Sequence, residues 1–189
     1  MGKVNLKNKS FIFIVGKTSS GKDTIARYIT SKYGIKPICS YTTRPKRENE
    51  TDGVEHYFIS AFEMNRIREN ESVLAYVKFH NGVEYCSTIQ GMTDDRMLYI
   101  IDPDGIEYFR SLYDSIKYKI IYVDLEEDII RERALNRGDD SNVLNKRILA
   151  ECTIFDNFKN SGSYDYIINT NKDKEAVFKE VDAIMEEIV

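Results

Sequence analysis

Five consecutive apolar residues, Phe11-Ile12-Phe13-Ile14-Val15, stand ahead of a glycine-bounded break at 16–21. An unbroken run of that length suits a strand buried on both faces of a parallel sheet. Over 22–33 the spacing turns helical, with Ile25, Ala26, Ile29 and Tyr33 on one face. Residues 37–40 predict a second strand, and the polar stretch 41–55 predicts an irregular segment. Asn81-Gly82 between the apolar-rich flanks of 73–88 is a strong hairpin signal. Short apolar strands follow at 98–101 and 119–123, each ahead of a helical pattern. A long helix is predicted over 142–157, through Val143, Leu144, Ile148, Leu149 and Phe155. A last strand at 164–168 precedes an amphipathic helix at 173–188. Strands alternating with helices predict an α/β fold with a parallel sheet, and the hairpin marks an antiparallel excursion.

Composition narrows the field without choosing within it. At 189 residues, 42% hydrophobic and 31% charged, the chain reads as one globular unit. Its apolar runs are strand-sized, far short of the ~20 residues of a membrane helix. The first ten residues carry Lys3, Lys7 and Lys9 but lack the apolar stretch of a signal peptide. A net charge of −4 argues against a nucleic-acid partner, since a phosphate backbone needs a basic footprint. Cys39, Cys86 and Cys152 show no metal-ligand spacing, so reduced thiols in a cytoplasmic protein are expected.

The break after the first strand carries chemistry. Gly16-Lys17-Thr18-Ser19-Ser20-Gly21-Lys22 fits the G-x-x-x-x-G-K part of a P-loop, placed between a buried strand and a helix. Glycines let backbone N–H groups turn inward around phosphate oxygens, and the helix N-terminus adds its positive end. Lys22 supplies a point charge toward the transferred phosphate. The next residue is Asp23 rather than Ser or Thr, so the hydroxyl that would hold Mg²⁺ falls to Thr24, or Asp23 reaches the metal through water. Gly16, Ser19, Ser20, Gly21, Lys22, Asp23 and Thr24 are the expected contacts to ATP and its Mg²⁺.

Beyond it, Ser40-Tyr41-Thr42-Thr43-Arg44-Pro45-Lys46-Arg47 and Asp52-Gly53-Val54-Glu55-His56-Tyr57-Phe58 resemble the GMP-binding segment of guanylate kinases. The resemblance extends through Gly138 to Tyr164-Asp165-Tyr166-Ile167-Ile168-Asn169, nearly the whole chain. It implies a P-loop NTPase three-layer fold with a parallel sheet core. It also implies a core of 1–36, 90–126 and 158–189, a small monophosphate-binding subdomain at 37–89 containing the hairpin, and a helical lid at 127–157. Arg44 and Arg47 match the arginines that hold the acceptor phosphate, and Ser40 a serine that contacts the nucleotide. Guanidinium forks pair with phosphate oxygens in a bidentate way that lysine cannot copy. The family's phosphate-contacting tyrosine falls at His56 or Tyr57, and either ring can donate a hydrogen bond. Tyr85 and Ser87 match residues that touch the acceptor phosphate and base. Arg133, Arg137 and Arg147 match lid arginines that close over the donor phosphates, and Asn169 an asparagine near the donor adenine.

Two positions depart from the family. Ala75 stands where a glutamate accepts hydrogen bonds from guanine. Asp102 alone retains the family's acidic pair in an ungapped alignment, with Ile100 at the first acid; a two-residue deletion matches Asp102 and Asp104. Asp102 is thus expected at the substrate or the metal. The implied reaction is phosphoryl transfer from ATP to GMP or dGMP. The alternatives are a same-fold kinase acting on another deoxynucleotide or on ribose 1,5-bisphosphate, and a non-catalytic binding module. Partners are small nucleotides, and the residues carry no indication of oligomeric state.

Overall fold

The computed structural model describes residues 6, 8–48, 50–79, 81–92, 94–113 and 115–188. Lys3 and Lys7 of the amino-terminal stretch lie outside them. The chain divides into two compact units, one of 12–35, 100–103 and 118–189 and the other of 1–11, 36–99 and 104–117.

In the first unit, β1 (Ser10–Val15), the end of β6 (Arg96–Ile100), β7 (Lys117–Asp124) and β8 (Tyr166–Asn169) form a sheet ordered β6-β1-β7-β8. β7 and β8 run parallel, with Val123 opposite Ile168 and Asp124 opposite Asn169. The predicted apolar runs are its core: Phe13, Ile14, Val15, Ile121 and Ile168 are buried. Helix α1 (Lys22–Tyr33) buries Ile25, Ala26 and Ile29 and stops at Gly34, whose φ of 70° suits a residue without a Cβ. Helix α6 (Lys174–Ile188) buries Val177, Val181, Ile184 and Met185. Tyr28 stacks on Phe178 with centroids 3.8 Å apart, and the Tyr28 and Tyr33 hydroxyls both donate to Asp182. Helix α4 (Glu127–Asn136) and helix α5 (Ser141–Ser161) share a small core of Leu125, Ile130, Ala134, Leu144 and Ile148. α5 runs past the expected end at 157 to Gly162, which takes φ 66°.

The second unit holds a mixed sheet ordered β3-β2-β5-β4, from β2 (Ser40–Thr42), β3 (His56–Phe58), β4 (Val73–Lys78) and β5 (Glu84–Thr88). β4 and β5 are the predicted hairpin; Gly82 takes φ 82° and Val83 N–H donates to Asn81 Oδ1 at 3.1 Å. The expected strand at 37–40 shifts forward. Pro37, with no N–H to give, makes one parallel bridge to Leu98, and the ladder starts at Ser40, so Tyr41 and Thr42 leave the segment expected to be irregular. Helix α2 (Ala61–Asn70), which the periodicity missed, buries only Met64 but starts with a capping box between Ser60 and Glu63. Helix α3 (Pro103–Leu112) opens on a proline, the residue best suited to a first turn.

Candidate active site

The loop between β1 and α1 owes its shape to backbone that tolerates few side chains. A Cβ on Gly16 would lie 2.4 Å from the Val123 carbonyl oxygen, so the β7 edge admits only glycine there. Ser19 sits at φ 54° and Gly21 at φ 98°, the left-handed region that turns successive N–H groups to one side. Gly21 caps α1 without a side-chain hydrogen bond, which leaves the first N–H groups of the helix to a ligand. The Ser19 and Ser20 hydroxyls are buried without a hydrogen-bond partner among the described residues. Lys22 Nζ donates to the carbonyl oxygens of Gly16 and Lys17, each at 2.7 Å. Burial pushes its ammonium down to about 8; Glu151 opposes that most among the charges, then Asp23, while Arg147 lowers it further and Asp102 raises it. Asp23 and Thr24 occupy the first turn of α1. Asp102 belongs to the same compact unit, whereas Asp104, in the first turn of α3, falls in the other.

Beside this loop lies a cleft of about 390 Å³ lined by Ser19, Gly21, Asp23, Thr24, Arg133, Arg137, Thr170 and Phe178, among others. Arg133 donates from Nη2 to the Thr170 carbonyl at 2.7 Å, and the Thr170 hydroxyl donates to Ser20 O at 2.7 Å. Arg137 ends α4 and pairs with Asp139, Nε to Oδ1 at 3.0 Å. Arg147, on α5, donates from Nε to Glu151 Oε1 at 2.7 Å. Asn169 is turned to local work, its Oδ1 accepting from Asn171 N–H at 2.8 Å.

The other unit gathers a second set of groups on one sheet face. Parallel pairing sets Ser40 beside His56, and the Ser40 hydroxyl and His56 Nδ1 are 2.8 Å apart. The His56 ring meets Tyr85 edge-on at 5.4 Å. Arg44 donates from Nε to the Tyr85 hydroxyl at 3.0 Å and lies 5.2 Å from the Phe58 ring centre. Both terminal nitrogens of Arg44 bind Glu50, at 2.7 and 2.5 Å, and one also reaches Pro45 O. Four of its five N–H groups are thereby fixed, which holds the fork in one plane with one Nη2 hydrogen left over. Arg47 donates its backbone N–H to Glu50 at 2.8 Å and keeps its guanidinium 3.5 Å away. Burial raises the Glu50 carboxyl, but the Arg44 hydrogen bonds and the Arg47 N–H outweigh it and bring the group down to about 2. Ala75 pairs with Ser87 on the hairpin; both are buried, and the Ser87 hydroxyl has no partner among the described residues.

Strand alternation separates the two rings left open by the sequence. Tyr57 points to the opposite face, stacked on Tyr41 at 5.1 Å and against Gly53, and does not join Ser40, Arg44 and Tyr85. Sequence reasoning missed Glu50, Glu151 and Thr170. Glu50 had a signal, an acid three residues after Arg47 in a turn. Glu151 and Thr170 act across 133 and 150 residues, beyond the reach of local pattern.

Residues 8–188 match the family model described as guanylate kinase. The chain is 29% identical over 192 residues to a guanylate kinase of Agrobacterium fabrum, covering 96% of this chain and 84% of that protein. It is 31% identical over 182 residues to a guanylate kinase of Symbiobacterium thermophilum, covering 92% and 83%. A crystal structure of guanylate kinase from Anaplasma phagocytophilum shares the fold, with a TM-score of 0.67 at 17% identity over 95% of this chain and 86% of that one.

Proposed function

The chain belongs to the guanylate kinase family, and from that premise we propose that it transfers the γ-phosphoryl group of ATP to GMP or dGMP. The observation that carries this reading is a pair of anion-binding sets: an open P-loop with Lys22 in one unit, and Arg44 locked by Glu50 and Tyr85 in the other. Gly16, Ser19, Ser20, Gly21 and Lys22 cradle the donor phosphates, with Arg133, Arg137, Arg147 and Asn169 around the donor. Ser40, Arg44, Arg47, His56, Tyr85, Ser87 and Asp102 receive the acceptor. Residues 37–89 then serve as the monophosphate-binding subdomain and 127–157 as the lid.

An acceptor phosphate oxygen attacks the γ-phosphorus in line, with no protein nucleophile or general base. Positioning and charge neutralisation supply the rate. Lys22, Arg137 and Arg147 meet charge that spreads over the equatorial oxygens. Among the described residues no three His, Cys, Asp or Glu side chains cluster as metal ligands. Magnesium keeps several waters and takes one or two carboxylates plus substrate phosphates. Asp23, Thr24 and Asp102, all oxygen donors, are the chain's own groups for it, and the bound ion would neutralise charge on the donor phosphates. On this reading the protein works on small nucleotides in the cytoplasm.

Ala75 favours a second reading, a same-fold kinase with looser base choice. A buried alanine gives guanine's N1–H and amino group no acceptor, a loss on the order of 1–3 kcal/mol in discrimination. ADP release with Mg-ATP and a panel of GMP, dGMP, AMP, CMP, UMP, dTMP and ribose 1,5-bisphosphate separates the two. Turnover led by GMP and dGMP supports the guanine reading. Equal or better turnover with another acceptor relocates the substrate, and none at all contradicts both.

A further inference from the structure

We propose that Glu151 is a positioning residue for phosphoryl transfer, tying the Arg147 guanidinium to the P-loop backbone so that the arginine is aimed from the cradle. The inference rests on the kinase reading above and adds a residue to it.

Glu151 projects from α5 and is nine-tenths buried, an environment a carboxylate tolerates only when its oxygens find donors. Each oxygen has one. Oε2 accepts the backbone N–H of Thr18 at 2.7 Å, inside the P-loop, and Oε1 accepts Nε of Arg147 at 2.7 Å. The carboxylate is therefore a rigid bridge of fixed span between loop and guanidinium. Helix stability does not explain the pair. An acid placed four residues after its base is the weaker orientation on a helix, and a helix-surface pair needs no third partner from 133 residues away.

The way Arg147 is held points outward. Nε makes the hydrogen bond, and the two terminal nitrogens form no hydrogen bond or ion pair with any other described residue. A guanidinium anchored by Nε presents its Nη edge, the edge that binds phosphate in a bidentate manner. The same bridge fixes the first half of the loop, while Ser19, Ser20 and the start of α1 stay available to phosphate. Without the bridge Arg147 keeps its charge and its helix but loses its bearing, and misplaced charge is weak in transition-state stabilisation.

The test is a double-mutant cycle in Glu151→Gln, Arg147→Ala and the pair, with kcat per ATP-binding site, KM for ATP and GMP, and Tm measured on each. Glu151→Gln is expected to lower kcat ~10-fold or more, with KM for ATP within ~3-fold of wild type. The double variant should match Arg147→Ala alone, because a carboxylate acting through the arginine has nothing left to position. Multiplicative losses, or a lowered Tm with kcat per site unchanged, overturn the proposal and leave Glu151 a structural residue. Should Glu151→Gln fail to fold, Glu151→Asp keeps the charge but is too short for the bridge, and the same non-additivity is expected. A wild-type protein without nucleotide-dependent turnover overturns the kinase reading itself, and this inference with it. An active wild type with a silent Glu151→Gln overturns this inference alone.

Discussion

Replacing Arg44 with alanine leaves the Glu50 carboxylate to Arg47 alone, and the structure sets the size of the effect. The two side chains are 13% and 11% exposed and joined by two short bonds. A carboxyl moved from its ordinary 4.5 to about 2 holds about 3 kcal/mol of stability at neutral pH. Breaking a fully buried pair from one side typically costs about 3–5 kcal/mol, and this half-buried pair belongs at the lower end of that range. Urea denaturation at pH 7 should therefore show Arg44→Ala losing about 3 kcal/mol. Arg44→Ala/Glu50→Gln should recover at least half of that, since no half-buried carboxylate is left short of its main partner. The sign follows from the depressed value: Glu50's contribution is complete above about 4.5 and disappears as pH falls toward about 2. Wild type should lose stability through that window more steeply than Arg44→Ala. Initial rates separate stability from function, because KM for the acceptor should stay raised ~10-fold or more in the recovered double variant. A loss below about 1 kcal/mol in the single variant, or a double variant as unstable as the single, refutes the reasoning.

Lys22→Ala should lower kcat ~10²–10³-fold while Tm stays close to wild type, since its ammonium bonds only loop carbonyls; near-wild-type rates would remove Lys22 from the site. Gly16→Ala should destabilise the fold by about 3 kcal/mol in thermal or urea unfolding, because the new methyl meets a backbone carbonyl at 2.4 Å that cannot step aside; an unaffected variant would contradict the loop geometry. His56→Phe should raise the acceptor KM and Tyr57→Phe should leave it within ~2-fold, given their opposite faces, and steady-state kinetics showing the reverse order would reassign the ring.

What the sequence made legible follows physical range. The run at 11–15 and the glycines after it specify strand, turn and helix within twelve residues, and the structure has all three. Asn81-Gly82 likewise located its hairpin. Strand β2 was displaced because its start depends on partners in β3 and β5 rather than on its own apolarity. Helix α2 escaped notice because a single buried methionine leaves almost no periodic signal, and its capping box carries the start instead. Charged groups were read as types but not as pairs. Arg44 and Arg147 were named from the family resemblance; of the carboxylates that fix them, Glu50 had only its place in the turn after Arg47 to mark it, and Glu151 became visible only once the chain was folded. Asn169 was likewise named from the resemblance, and folding adds that its Oδ1 accepts from Asn171 N–H in the turn after β8.

The most direct measurement follows the label from γ-³²P-ATP in the presence of magnesium and GMP, with the products separated by chromatography. Labelled GDP is expected to form in step with ADP, and ~10²–10³-fold more slowly in Lys22→Ala. Label released only as inorganic phosphate, or retained in ATP by a folded protein that binds both nucleotides, would contradict it.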